Sequence, residues 1–211
     1  MPKSTFFNLP KEKRNRITNT LIKYFATKPY EQVDIEDVAK ECKVAKGSMY
    51  QYFENKKDMY LHAVNEAMKA SLKLVENIDF EQLSLFEFLE KSFESTWNFF
   101  VNNPYESLLL EKAAFHDDSP CKDEIQSLLK ERTKALLNDI VTKNQKSGFI
   151  RNDIPAEIIV VFLEGATWSL KRYFMDLAKR MGNKIVELSK DYVSEVRKQW
   201  MELVKNGISK I

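Results

Sequence analysis

Residues 34–57 read DIEDVAKECKVAKGSMYQYFENKK, and the fold turns on this stretch. Asp34 is a good helix N-cap, with Asp37 three residues on in an arrangement like a capping box. Ile35, Val38 and Ala39 give the following short helix one apolar face. A break at Cys42-Lys43-Val44 leads into a second short helix, from Ala45 to Tyr52. Asn55 then caps a longer helix, with Asp58 at its third position. That helix is expected to reach about Glu76, with Met59, Ala63, Ala67 and Ala70 along one side.

Outward from this core the same period continues. Ile17, Leu21 and Phe25 repeat every four residues upstream, in a helix expected from Pro10 to about Lys28. Pro10 suits a first helical turn, and Pro29 disfavours helical geometry at Lys28 before it. Downstream, five more helical segments are expected at about 82–101, 105–116, 121–146, 155–181 and 184–206. Their punctuation is Asn102-Asn103-Pro104, Asp117-Asp118-Ser119-Pro120, Ser147-Gly148, Asn152-Asp153-Ile154-Pro155 and Gly182-Asn183. No strand-length alternation or fixed repeat competes. The chain reads as all-α, with about nine helices.

Composition agrees. Five Gly and six Pro in 211 residues leave little chain for turns, which favours long helices. The net charge is +2, yet residues 1–62 hold 12 Lys/Arg against 8 Asp/Glu, and the remainder 21 against 23. A modestly basic head on a slightly acidic body suits a protein that offers one end to phosphate. Cys42 and Cys121 lack metal-ligand spacing and read as buried thiols. No secretory signal and no long apolar run is present, so a cytoplasmic protein outside the membrane is expected.

Two short helices joined by a tight break have one principal use in a small protein. The first braces the unit, and the second lies in the DNA major groove with its N-terminal side chains towards base edges. Gly47 costs about 1 kcal/mol of helix propensity relative to Ala, but lets backbone approach a phosphate or base closely. Lys46 can reach phosphate or a guanine edge, while Tyr50, Gln51 and Tyr52 supply polar groups for backbone contacts. Lys56 and Lys57 sit where the helix dipole disfavours cations unless an anion is close, as a DNA phosphate would be. Each residue alone also fits a structural role: Tyr52 and Phe53 as core aromatics, the two lysines as solvated charge, Gly47 as a tolerated break. Their joint spacing carries the reading.

In register, Ile17, Phe25, Tyr30, Val38-Ala39-Lys40-Glu41-Cys42-Lys43-Val44 and Ala45-Lys46-Gly47-Ser48-Met49-Tyr50-Gln51-Tyr52-Phe53-Glu54-Asn55-Lys56 resemble the DNA-binding head of the TetR family. Pro29 and Lys43 stand where that pattern has turn glycines, and Asp34 and Ala45 where it has hydroxyl residues. The resemblance implies that residues 1–56 form a three-helix helix-turn-helix head. Residues 57–211 would form a helical effector-binding and dimerisation domain. Lys46 would read a base edge, with Ser48 and Gln51 beside it, Gly47 giving close approach, and Tyr50, Tyr52 and Lys56 holding phosphates.

Residues 80–178 hold 14 of the 25 aromatics, more than a bundle core needs, so part of the surplus is expected to line a cavity. The resemblance implies a small-molecule pocket there, to which Trp97, Phe100, Glu111, Phe115, Trp168, Arg172 and Tyr173 are assigned, with His116 and Glu164 as further polar anchors. It also implies that the last two helices pair with their copies. Ile158, Val161, Phe162, Gly165 and Ala166 would face the partner from one, and Val186, Val193, Val196, Trp200 and Leu203 from the other. Such a homodimer reads a pseudo-palindromic operator in double-stranded DNA.

The expected function is a repressor released from its operator by an apolar, aromatic or acyl-chain ligand. The competing reading is a DNA-bound or scaffold protein with the same head and no effector. An enzyme is disfavoured: there are two histidines, no Gly-rich phosphate loop and no metal-ligand cluster, so no cofactor and no metal are expected.

Overall fold

The computed structural model describes residues 2–73, 82–180 and 190–209. Ten helices lie among them: α1 (Ser4–Phe7), α2 (Lys11–Thr27), α3 (Ile35–Glu41), α4 (Lys46–Tyr52), α5 (Lys56–Lys73), α6 (Leu85–Asn102), α7 (Pro104–Phe115), α8 (Lys122–Lys146), α9 (Ala156–Arg180) and α10 (Lys190–Ile208). The all-α reading holds, and the added helix is α1, a single turn that no apolar period announces. Pro10 serves as the N-cap of α2 with extended backbone rather than as its first helical residue. The expected Gly182-Asn183 break, Val186 and residues 74–76 lie outside the described residues.

The chain divides into two packing units. The first comprises residues 1–77 with 102–128, and so joins α7 to the helices of the N-terminal part. The functional division expected at residue 56 follows the motif instead. In this unit Ile17, Leu21 and Phe25 are buried as their spacing requires, together with Val38, Ala39, Met49, Met59, Ala63 and Ala67. Leu109, Ala113 and Ala114 supply the buried face of α7. Cys42 and Cys121 are both free and buried.

The turn between α3 and α4 explains how two short helices can be set so close. Val44 N–H reaches back to the Ala39 carbonyl at 3.0 Å, and Lys43 N–H to the Lys40 carbonyl at 3.0 Å. This left-handed cap requires positive φ at Lys43, which stands at 55°. Glycine adopts that geometry freely, whereas lysine takes it at a cost. The same cap ends α8, where Gly148 has φ 71° and Phe149 N–H bonds the Asn144 carbonyl at 3.0 Å.

The second unit comprises residues 78–101 with 129–211. One of its clusters gathers Leu85, Phe88 and Leu89 of α6, Leu137, Ile140 and Val141 of α8, Ile159, Val160 and Leu163 of α9, and Met201, Val204 and Ile208 of α10. Buried Asn144 ties the helix ends together. Its side-chain oxygen accepts from Leu85 N–H at 3.2 Å while its amide donates to the Ile140 carbonyl at 2.8 Å. A second cluster joins Leu170 and Phe174 of α9 to Val193 of α10, with Phe93, Trp97 and Phe100 of α6 packed against it.

Candidate nucleic-acid interface

Helix α3 starts where the Asp34 side chain accepts from Glu36 N–H at 2.7 Å, one position earlier than a capping box through Asp37 would use. Helix α5 starts as the sequence requires, with Asn55 Oδ1 accepting from Asp58 N–H at 2.9 Å. Between them α4 is anchored by Met49, which is fully buried, so the phase of the helix turns residues 46, 47, 50 and 51 outward.

Lys46 occupies the first turn of α4 and is exposed. Its ammonium lies 3.6 Å from Glu36, whose carboxylate also pairs with Lys40 at 3.0 Å. Lys40 first, and Lys46 after it, hold that carboxyl below its usual range. Gly47 is exposed, and a Cβ built there would meet nothing within 4 Å, so the space beside it is open. Ser48 is half-buried, while Tyr50 and Gln51 face outward. These five residues form one continuous outer face on a single helix.

Tyr52 and Lys56 are placed differently from the other five. Tyr52 is 7% exposed, its ring centroid 6.3 Å from that of Phe6 and capped by the Lys13 ammonium at 5.7 Å. Lys56 donates to the Glu31 carbonyl at 3.1 Å and lies 4.8 Å from the centre of the Tyr30 ring. Both are engaged in the packing of the head in the free protein. The reasons are long-range: α1 covers Tyr52, and the turn after α2 presents Glu31 and Tyr30 to Lys56.

Three groups near this face were not read from the sequence. Glu36 faces Lys46 from α3, a contact set by the turn geometry. Lys3 and Thr5 reach the end of α4 from α1, with Lys3 N–H donating to the Tyr52 carbonyl at 2.8 Å. His62 is buried on α5, its Nε2 2.9 Å from Thr18 Oγ1, and between Phe6 and Phe53 at centroid distances of 5.0 and 5.4 Å. Burial pushes its imidazole down to about 4. The only sequence signal for α1 was the pair Phe6-Phe7 ahead of Pro10.

The residues assigned to a ligand pocket separate by unit. In the second, Trp97 stacks parallel on Phe93 at 6.5 Å and meets Phe174 edge-on at 5.2 Å, and Phe100 packs on the same cluster. Trp168 is half-buried under the Lys171 ammonium, and Arg172 is exposed. Tyr173 is exposed, with its hydroxyl bonded to that of Tyr192. In the first unit, Glu111 is largely buried and lies 3.9 Å from His116, with Phe115 half-buried nearby on the same helix. Glu164 is half-buried on α9.

On the helices assigned to dimerisation, α9 turns Ile158, Val161 and Phe162 outward, at 57%, 60% and 46% exposure, and open space surrounds Gly165. Helix α10 differs from its sequence reading. Val193 is buried, and Val196 and Trp200 pack within their own chain, leaving Leu203 outward at 73% exposure. No group of metal-ligating side chains occurs among the described residues, and no helix among them is long and apolar enough to cross a membrane.

Residues 17–63 match the model of the bacterial regulatory proteins of the tetR family. An uncharacterized HTH-type transcriptional regulator of Bacillus subtilis (strain 168), YuxN, is 42% identical over 55 residues, 26% of this chain and 19% of that protein. The chain thus spans about a fifth of the length of that curated relative. The fatty acid metabolism regulator protein of the same organism is 22% identical over 187 residues, covering 84% of this chain and 95% of the relative. A solved TetR family transcriptional regulator from Chloroflexus aurantiacus J-10-FL superposes over the whole of both chains, with a TM-score of 0.81 and 25% identity.

Proposed function

We propose that the chain is a TetR-family transcriptional regulator that acts as a dimeric repressor released from its operator by an apolar ligand. The observation that carries the DNA-binding part is the outer face of α4. A lysine, an open glycine edge, a serine, a tyrosine and a glutamine follow one another on a short helix braced by α3. In this reading α4 enters the major groove, Lys46 and Gln51 meet base edges, and Ser48 and Tyr50 add polar contacts. Gly47 lets the backbone close on the duplex. The modest excess of positive charge in the first 62 residues favours the approach of this end to phosphate.

Dimerisation supplies two such helices at the spacing of successive major grooves, about 34–36 Å. The exposed stripe Ile158, Val161, Phe162 and Gly165 supports α9 as the principal contact, with Leu203 of α10 beside it. Gly165 has room for a close helix from a second copy.

The aromatic cluster of Phe93, Trp97, Phe100 and Phe174 supports an apolar effector. Likeness to a fatty acid metabolism regulator favours an acyl chain over a polar metabolite. Release would follow from linkage: a ligand that binds the non-operator conformation better weakens DNA binding by the same factor. Testing this means titrating the protein–operator complex with acyl compounds of graded chain length. Release by a subset of lengths supports the sensor, whereas an operator complex indifferent to every one would remove the acyl effector from the proposal.

A further inference from the structure

Helix α4 has seven residues, too few to be stable alone, and its last four carbonyls lack partners further along the helix. These belong to Met49, Tyr50, Gln51 and Tyr52, and each has an identifiable donor. Phe53 N–H takes the Met49 carbonyl at 2.9 Å. The other three are taken by Thr5 of α1 and by Lys3, the N-cap of that helix. Lys3 Nζ donates to the Tyr50 carbonyl at 3.2 Å, Thr5 Oγ1 to the Gln51 carbonyl at 2.6 Å, and Lys3 N–H to the Tyr52 carbonyl at 2.8 Å.

The clasp is itself held in place. Phe6 is buried with its ring 5.1 Å from Phe53 and 5.0 Å from His62. Arg14 of α2 donates to the Phe7 carbonyl at 3.0 Å. The Lys3 ammonium also pairs with Glu54 at 3.0 Å, and a cation at the C-terminal end of α4 is favoured by the helix dipole.

We propose that Lys3, Thr5 and Phe6 are positioning residues of the DNA-binding site, which fix the C-terminal half of α4 and with it the orientation of Tyr50 and Gln51. The proposal rests on α4 being the DNA-reading helix. The cap comes from a separate turn 45 or more residues away in sequence, so order in α4 depends on α1 remaining docked. Without the clasp, α4 keeps Met49 in the core but frays at the end that carries Tyr50 and Gln51. Readout of sequence then weakens more than general attraction to phosphate.

The test compares wild type with Lys3→Met/Thr5→Val, which keeps shape but removes two donors, and with Thr5→Ser, which retains the hydroxyl. Amide hydrogen exchange is measured on the DNA-free protein. Binding is measured to the duplex that wild type enriches from a random-sequence pool, and to poly(dI-dC). The double variant is expected to speed exchange at residues 49–53 by roughly three- to tenfold per lost hydrogen bond, leaving α2 and α5 unchanged. Its affinity for the enriched duplex is expected to fall about tenfold more than its affinity for poly(dI-dC), and Thr5→Ser should behave as wild type. Unchanged exchange in α4 would overturn the clasp. Acceleration spread equally over α2, α4 and α5, with both affinities falling together, would reduce it to general stability. Faster exchange in α4 with specific binding intact would overturn the positioning role. If wild type enriches no sequence, the reading of α4 fails and the positioning role fails with it, whatever the exchange data say about the clasp.

Discussion

The ammonium of Lys46 stands 3.6 Å from the carboxylate of Glu36, across the turn that separates α3 from α4. Glu36 also holds Lys40 at 3.0 Å, so one carboxylate restrains two cations on the outer face of the head. In the free protein the restraint is weak, since all three groups are solvated. It becomes consequential when phosphate competes for the same cations. Lys46→Ala is expected to lower operator affinity between about 10- and 100-fold, with circular dichroism and sedimentation unchanged. Glu36→Gln is expected to raise affinity for non-specific duplex and to steepen its salt dependence, because two cations are released to phosphate. Filter binding at two salt concentrations reads both. A Glu36→Gln protein with wild-type non-specific affinity would show that the pair has no bearing on DNA.

Gly47 separates stability from function. A methyl group fits there without collision, and Ala gains about 1 kcal/mol over Gly within a helix. Gly47→Ala should therefore raise the unfolding temperature by about 2–4 °C. The same methyl would stand between the α4 backbone and the duplex, so operator affinity should fall while stability rises. A variant that is more stable and binds as tightly as wild type would show that no close approach occurs at this residue.

Burial of His62 sets a pH dependence whose sign is fixed. Its pKa falls from 6.5 to about 4, so between these values the unfolded chain binds the extra proton and the folded one does not. The stabilisation is complete above about pH 6.5 and is lost as pH falls towards 4. A difference of this size corresponds to about 3 kcal/mol. Urea unfolding of wild type should lose stability through that window, and His62→Gln should lose distinctly less. Parallel pH profiles for the two proteins would place the acid sensitivity elsewhere, with the many carboxylates as the alternative source.

The outward stripe of α9 gives the clearest test of assembly. Val161→Glu places a charge on an apolar face without disturbing the chain's own core, because the side chain is already exposed. Sedimentation is expected to shift from dimer to monomer, with operator affinity falling at least about tenfold as the second half-site contact is lost. A variant that stays dimeric would move the interface away from α9.

Most of the architecture was legible because helical burial repeats along the chain. Ile17, Leu21 and Phe25 mark α2 unaided, and Asn55 with Asp58 marks the start of α5. What could not be read depends on contacts between distant segments. A single turn such as α1 has no period, and its meaning lies in carbonyls some 45 residues on. Tyr52 and Lys56 carry side chains that suit phosphate, and only the placement of Phe6, Tyr30 and Glu31 shows them engaged in packing. On α10 the apolar residues recur at helical spacing, but spacing does not say which neighbour covers them. Val193, Val196 and Trp200 are taken by their own chain. Lys43 is the instructive departure at the turn: the backbone takes the left-handed geometry although the residue is not glycine.

The most direct test of the central claim, that α4 reads DNA, is a titration of wild type and Lys46→Ala against DNA from upstream of the protein's own gene. It is run at two salt concentrations with excess poly(dI-dC). The expected result is saturable, salt-sensitive binding by wild type that survives the competitor and is weakened at least about tenfold in the variant. Equal binding by the two proteins, with specificity retained, would contradict the assignment of α4 as the recognition helix.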